Sequence, residues 1–524
     1  MLSVVIFLPL AAALALVALP QVPARTVRWT WIAASTVDLG IVVAMWVGYR
    51  RGGGITGQLA YETNLPWIPS VGSGYHIGLD GLSLPLVALT AGLFLACAIY
   101  SLRETNRVRA FAALFLFLET ACLGLFSALD LLLFFVFFDL SIVGMYFVIA
   151  GWGHGDPRPA ALKFFLYTFI GSLALLLGFI GLYLAVDPHT FDMVELARRP
   201  PLAGATVGGT LVLLAIAVGL AIKTPTVPFH TWLPPAHTEA PAAGSAILAA
   251  ILLKMGTYGF VRIAMPILPD AWRRYALVFV VVGVVSVLYG ALVALAQTNF
   301  KRMVAYTSVN HMGYILLAVG AAGTLAGSDE QARTLAVTGA VTQMVSHGLI
   351  TGALFLLAGV LYERGHTYQM DQYGGLAART PAFAGLTAVA AFASLGLPGF
   401  SGFIAEFQIF TGSLGARPVA TALALLGILI TAALFLLALQ RLFLGPLRVP
   451  PVPDAESAVS GQEAAGGTIT TRTASATMLT DLRVHEAAAI APLLLLSVAI
   501  GVAPRFLLDV IEPAARMVVQ LVAR

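Results

Sequence analysis

AIKTPTVPFHTWLPPAHTEAPAAGSAILAAILLKMGTYGFVR (residues 221–262) joins the end of one apolar run to a second apolar run. Pro225 and Pro228 interrupt the first run by removing backbone donors, and Lys223 and Lys254 place a cation in each run. Non-helical backbone at membrane depth is tolerated only where it lies against protein or water. The segment therefore predicts a bundle of membrane-spanning helices with a polar interior.

The composition of the whole chain supports a membrane location. Of its 524 residues 59% are hydrophobic and 10% are charged, whereas an ordinary soluble domain is about 25% charged. We recognise fourteen apolar runs of roughly the 20 residues that cross a bilayer. The runs are centred near residues 11, 38, 92, 118, 140, 173, 216, 252, 286, 313, 348, 397, 431 and 498. They predict an all-α polytopic membrane protein with about fourteen transmembrane helices.

Interruptions in two of the runs predict internal symmetry. The seventh run breaks at Pro225 and Pro228, and the twelfth breaks at Pro398 and Gly399 within SLGLPGFSGF. Paired broken helices in corresponding halves of a membrane protein point to an ion path between them. We therefore predict two inverted five-helix repeats, each with a broken helix. The predicted units are the N-terminal helices and loop at 1–108, the first repeat at 109–265, the second repeat at 272–445, a polar flexible linker at 446–484 and one C-terminal helix at 485–524.

The use of lysine is selective. The chain has four lysines and 25 arginines, yet two of the four lysines, Lys223 and Lys254, lie inside predicted spans. Arg stays protonated in proteins, whereas a buried Lys can lose its proton. If these positions needed only a cation, we would expect Arg, because Arg is far more frequent than Lys in this sequence. The choice of Lys therefore indicates groups that must deprotonate.

Carboxylates and imidazoles lie at the same predicted depth as these lysines. A charge at the bilayer centre costs about 2.5–3.5 kcal/mol even on the lenient insertion scale, so the groups must pair, become neutral or face internal water. Since they share one depth, they predict a lateral proton relay along the membrane plane. The predicted relay residues are Asp139, Lys223, Lys254, His311, His347 and Glu406. Residues with a possible role in proton entry or a secondary role are Glu119, His230, His237 and Glu239.

Simpler interpretations of these residues stay open. The carboxylates could satisfy a broken helix, the two relay histidines could be neutral hydrogen-bonded packing residues, and the group at 230–239 could be loop structure. Cys97 and Cys122 fall in apolar runs without a CxxC or His/Cys cluster, so no disulfide, metal or iron–sulfur site is predicted. Lys and Arg are slightly more numerous in the loops on the side of Arg103 and Lys301, and the positive-inside rule then places both termini on the outer face.

Several long motifs resemble, in the same order, the antiporter-like membrane subunits of respiratory complex I. The resemblance covers about residues 75–445. Within that family the sequence is most similar to the chain M type, because Glu406 stands where the sister types usually have Lys. The motifs are residues 221–262, YHIGLDGLSL (75–84), KRMVAYTSVNHMGY (301–314), HGLITGALFLLAGVLYER (347–364) and LPGFSGFIAEF (397–407).

The resemblance implies a role for each relay residue. Lys223 is expected to be a switching lysine paired with the acid at Asp139, where the family has Glu, and Lys254 is expected to be the central relay residue. His311 and His347 are expected to connect Lys254 to a terminal exit residue. That exit residue is Glu406.

The resemblance also implies a function and its setting. It implies a proton-translocating subunit of NADH:quinone oxidoreductase in the bacterial inner membrane, surrounded by lipid and by neighbouring antiporter-like chains. No redox active site and no nucleic acid are expected in this chain, while FMN, iron–sulfur clusters, NADH and quinone are expected in partner subunits. Multisubunit sodium/proton antiporters and membrane-bound hydrogenases share these motifs and are the alternatives. A structural scaffold without transport is an alternative of another class.

Overall fold

The computed structural model describes residues 1–52, 58–204, 206–450 and 480–524 of the chain. Its N-terminal part has three long helices and an antiparallel hairpin between the second and the third. In chain order the elements are α1 (Leu2–Ala18), α2 (Ala24–Arg51), β1 (Ala60–Ile68), β2 (Ser73–Leu79) and α3 (Leu84–Tyr100).

The two following helical groups contain the broken helices. The first group comprises α4 (Val108–Ser127), α5 (Leu131–Trp152), α6 (Pro157–Ala185), the short α7 (Met193–Arg198), α8 (Val207–Lys223), α9 (Leu233–Glu239) and α10 (Ala242–Ile267). The second comprises α11 (Pro269–Leu295), α12 (Phe300–Ala322), α13 (Glu330–Gly365), α14 (Pro381–Ser394), α15 (Ser401–Leu414) and α16 (Pro418–Phe443). The chain closes with α17 (Val484–Val502) and α18 (Arg505–Ala523).

The all-α polytopic fold class is confirmed. Within the described residues, ten helices are long and apolar enough to cross a membrane, and α1, α8 and α14 are shorter apolar helices. Every apolar run recognised in the sequence coincides with a helix or with a broken pair of helices. The number of fourteen spans and the inverted repeats stay predictions.

Both predicted breaks are present in the structure. The first separates α8 from α9 and contains Pro225 and Pro228, and the second separates α14 from α15 and contains Pro398 and Gly399. Gly399 has a φ of 96°, in the left-handed region that glycine adopts without steric cost. The first break is buried from Lys223 to Thr226, whereas Leu397 and Pro398 of the second break are exposed on the described chain.

The predicted single C-terminal helix at 485–524 is wrong, because two helices, α17 and α18, occupy this part of the chain. In α18 an apolar residue recurs every third or fourth position, and these side chains are buried while the opposite face is polar. They include Leu507, Val510, Ile511, Ala514 and Val518. An amphipathic helix of this kind packs along the bundle as a separate element.

The predicted flexible linker at 446–484 is anchored at both of its described ends. The Arg448 N–H donates to the Gly374 carbonyl at 2.9 Å. The carboxylate of Asp481 accepts from the N–H groups of Ala382 and Phe383 at the start of α14, at 2.9 Å each. Residues 451–479 of the predicted linker lie outside the described residues.

The centre of the bundle is formed by α10, α12 and α13. The membrane-spanning part of α13 is entirely buried inside the protein, and α10 is almost entirely buried. Polar side chains on these helices therefore face other protein segments instead of lipid. This packing gives the bundle a continuous interior at mid-membrane depth.

Candidate proton relay site

Lys254 lies at the centre of the predicted row. It is fully buried on α10, and its Nζ lies 2.6 Å from Nδ1 of His347 on α13. The same Nζ donates to the carbonyl oxygen of Ala249 at 2.7 Å. That carbonyl belongs to a π-helical turn, Leu248–Leu252, and a second π turn, Phe260–Ala264, follows the lysine. Single π turns inside α-helices are rare and are frequent at functional sites.

Three further predicted residues lie in succession beyond Lys254. The rings of His347 and His311 have centroids 5.3 Å apart. Nδ1 of His311 lies 3.1 Å from Nε2 of Gln343 and 3.8 Å from Oε1 of Glu406, and Nε2 of His311 lies 3.3 Å from the Ser394 hydroxyl. The structure therefore brings four of the six predicted relay residues into one connected group.

A small cavity lies within this group. Its volume is about 10 Å³, which is at the lower limit of the room that one water molecule needs. The cavity is lined by His311, Gln343, Ser346, His347, Ile350, Thr351, Ala393, Ser394, Gly402 and Glu406. A water here would have several polar partners and could connect the two histidines to the carboxylate.

The second break of the backbone positions Glu406. The residue lies on α15, just after the break, and its side chain is buried. Gly396, with a φ of 76°, lies directly against the Glu406 carboxylate, and a Cβ at this position would collide with it. Gly396 therefore allows the carboxylate to approach the broken backbone and to face the cavity.

Lys223 occupies the other end of the row. It is the last residue of α8 and is buried, where the partial negative charge of the helix C-terminus favours a cation. Its Nζ donates to the Ser141 hydroxyl at 3.2 Å and lies 4.8 Å from the centre of the Phe138 ring.

The direct ion pair of Lys223 with Asp139 is not formed in this structure. Across the described residues, no contact of 4.0 Å or less joins an Asp139 oxygen to the Lys223 nitrogen, although the two groups interact electrostatically. The physical reason is the helical geometry of α5, where Phe138 and Ser141 contact Lys223 and Asp139 turns away from it. Asp139 is only half-buried, and its Oδ1 has no hydrogen-bond partner.

A glycine brings the helices of the two lysines together. Gly256 lies two residues after Lys254, and a Cβ at this position would lie 2.7 Å from the Leu220 carbonyl oxygen and against the Thr224 hydroxyl. Only a glycine permits this approach of α10 to the end of α8. The two lysines are thus on adjacent helices, but within the described ranges no hydrogen bond joins their side chains.

The structure separates the residues predicted for proton entry. His237 is fully buried, its two ring nitrogens have no hydrogen-bond partner, and its ring stacks on Phe355 at 4.5 Å. His230 packs edge-to-face against Tyr289 with ring centroids 4.9 Å apart. The Glu239 carboxylate accepts from the Asp156 N–H at 3.0 Å, as a loop-stabilising residue does.

Sequence reasoning missed Lys301, which it assigned to a basic loop. Lys301 is fully buried at the start of α12. Its Nζ donates to the carbonyl of Ala240 at 2.5 Å and lies 5.0 Å from the centre of the Tyr368 ring. Its position at the edge of an apolar run gave no signal of burial. It lies within electrostatic range of His237.

Sequence reasoning also missed a polar clamp outside the membrane spans. His76 of β2 is buried, with Nδ1 2.6 Å from Oδ2 of Asp192 and Nε2 2.8 Å from Oε1 of Glu62. Burial lowers the pKa of His76, but the hydrogen bonds and negative charges of Asp192 and Glu62 outweigh burial and raise the pKa above its usual value. The clamp therefore ties the hairpin to the start of α7 most strongly when His76 is protonated.

Comparison with known proteins identifies the family and the fold of the chain. The family described as "NADH:quinone oxidoreductase/Mrp antiporter, TM" matches residues 128–431. NADH-quinone oxidoreductase subunit M of Rickettsia bellii is 36% identical over 515 residues, covering 97% of this chain and 96% of that one. A chain of respiratory complex I from Thermus thermophilus with bound NADH has a TM-score of 0.81 and 29% identity, with full coverage of both chains. A chain of the Mrp complex from Dietzia has a TM-score of 0.81 and 23% identity over 100% of this chain and 99% of that one, which shows a shared fold.

Proposed function

Because the chain belongs to the family of NADH-quinone oxidoreductase subunit M, we propose that it conducts protons across the membrane as a pumping subunit of that enzyme. The energy comes from quinone reduction in other subunits. Neighbouring membrane subunits transmit this energy to the buried row of Lys, His and acidic residues.

One observation carries the proposal. Lys254 contacts His347 at 2.6 Å, and the contact continues through His311 to Glu406. Each of these four side chains can hold or release a proton, and all are buried. A succession of buried groups that can each hold or release a proton is suited to proton transfer.

The transfer steps follow from the atoms that face each other. Protonated Lys254 donates a proton from Nζ to Nδ1 of His347, and Lys254 becomes neutral. His347 then releases a proton from Nε2 into the cavity that it shares with His311 and Glu406. Glu406 accepts this proton as the terminal group of the row.

Lys223 and Asp139 act as the switch of this row. When a movement of α5 or α8 brings Asp139 against Lys223, the pair retains the proton. When the pair separates, as here, Lys223 can release the proton, and a displacement at the broken helix passes it to Lys254. Removing one partner from a buried ion pair costs about 3–5 kcal/mol. Moving one charge across 100 mV requires about 2.3 kcal/mol. A switch of this type is therefore large enough to work against the membrane potential.

The setting of the chain follows from the same proposal. The redox groups, FMN and iron–sulfur clusters, and the sites for NADH and quinone belong to partner subunits, and this chain contributes no redox centre. It lies in the bacterial inner membrane with both termini on the outer face. Its neighbours are other antiporter-like membrane subunits.

Proton pumping in proteoliposomes that contain the assembled enzyme tests the proposal. Lys223→Ala is expected to abolish NADH-driven proton uptake, with quinone reduction measured alongside. Lys163→Ala is the matched control, because Lys163 is exposed. Normal pumping by assembled complexes that carry either Lys223→Ala or Lys254→Ala would refute the relay and support a structural scaffold.

A sodium/proton antiporter is the second candidate, because the description of the matching family names the Mrp antiporter beside the oxidoreductase. The purified complex distinguishes them. Flavin and iron–sulfur proteins that copurify with the chain support the respiratory enzyme. Sodium-dependent proton exchange by a complex without these proteins supports the antiporter.

A further inference from the structure

A pair of buried acids lies outside the row described above. Asp38 is near the midpoint of α2, Glu119 is near the midpoint of α4, and both are fully buried. Oε2 of Glu119 accepts from the Ser35 hydroxyl at 2.8 Å. Its Oε1 has no hydrogen-bond partner, and neither carboxylate oxygen of Asp38 has one.

No cation compensates this pair in the part of the chain that the structure describes. No Lys, Arg or His nitrogen lies within 4.0 Å of either carboxylate, and the two acids interact electrostatically with each other. An ionised carboxylate in an apolar environment without a partner carries a large desolvation cost. Two such groups at one site cannot both ionise, because like charges oppose each other.

We propose that Asp38 and Glu119 form a second proton-holding site of this chain. Ser35 donates to Glu119 and lies three residues before Asp38 on α2, so both acids lie at the same contact between α2 and α4.

The ligand of the pair is a proton rather than a metal cation. Hard metal cations take about six or more oxygen ligands. Among the described residues, the site offers only two carboxylates and the Ser35 hydroxyl. A shared proton, by contrast, needs only two oxygens that approach each other.

Infrared difference spectra between each variant and the unaltered purified complex test the site directly. A protonated carboxyl has a C=O stretching band that a carboxylate lacks. Asp38→Asn and Glu119→Gln are each expected to remove or shift this band. Glu512→Gln is the control, since the Glu512 side chain is 52% exposed. An unchanged band in both variants would refute the site. If sodium ions abolish the band in the unaltered complex, the pair binds a metal cation and the proposal is wrong.

A second variant keeps the test valid if Asp38→Asn or Glu119→Gln fails to assemble. Ser35→Ala leaves both acids in place and removes the hydrogen bond to Glu119, so the carboxyl band is expected to shift. A band that stays fixed in Ser35→Ala would contradict the proposed site.

Discussion

Replacing Lys254 by Met removes the central group of the proposed relay and keeps a side chain of similar length. A proton that crosses this gap must then exist as an uncompensated charge at the bilayer centre, at a cost of about 2.5–3.5 kcal/mol. Since each 1.36 kcal/mol or so in a barrier changes a rate tenfold, transfer should slow by roughly 70- to 370-fold. Pumping should therefore fall below the limit of detection.

Proton uptake and quinone reduction in proteoliposomes measure this effect. Lys254→Arg is expected to fail like Lys254→Met, because Arg retains the cation but does not release its proton. Lys163→Met changes an exposed lysine in the same way and is expected to pump normally. Pumping by assembled Lys254→Met at half the normal rate or more would refute the relay, and pumping by Lys254→Arg alone would show that a fixed cation is sufficient.

Three further predictions concern the scaffold around the row. Gly256→Ala forces α10 away from α8 and should lower stability by about 1–3 kcal/mol, measured by thermal unfolding of the complex. Glu486→Gln removes the negative charge of a pair with Arg364, 2.7 Å apart, and should destabilise by about 1.5–3 kcal/mol, because Glu363 still faces Arg364. Because the pKa of His76 is raised, protonated His76 stabilises the hairpin fully below about pH 6.5, and this stabilisation is lost at higher pH. Hydrogen-exchange protection of the hairpin should therefore depend on pH, and His76→Gln should remove that dependence.

Apolar run length and the positions of proline predicted most of the fold. Each run has a helical counterpart, and the breaks occur at Pro225–Pro228 and Pro398–Gly399 as the sequence indicated. The elements that were missed are those without a long apolar run. The hairpin of β1 and β2 is stabilised by pairing between strands, and α18 has an apolar period of three to four residues in a polar context. That periodicity was visible in RFLLDVIEPAARMVVQLVA and could have identified α18.

The identities of the row residues were predictable, but their contacts were not. An ionisable residue in the middle of an apolar run is conspicuous, so Lys254, His347 and Glu406 were found without a structure. The direction in which a side chain points depends on the rotation of its helix about the helix axis. A helix that is apolar on all faces gives no sequence signal for this rotation. For that reason the separation of Lys223 from Asp139 and the π turns beside Lys254 became apparent only in the structure.

In the proposed relay, the step between Lys223 and Lys254 is the one that a movement can control. From Lys254 to Glu406 the side chains contact one another or share a cavity. Lys223 instead donates to Ser141 and has no hydrogen bond to Lys254 within the described chain. A relay that is interrupted at this step alone needs only one moving element. We therefore expect a displacement at the broken helix after Lys223 to bring the two lysines into proton exchange.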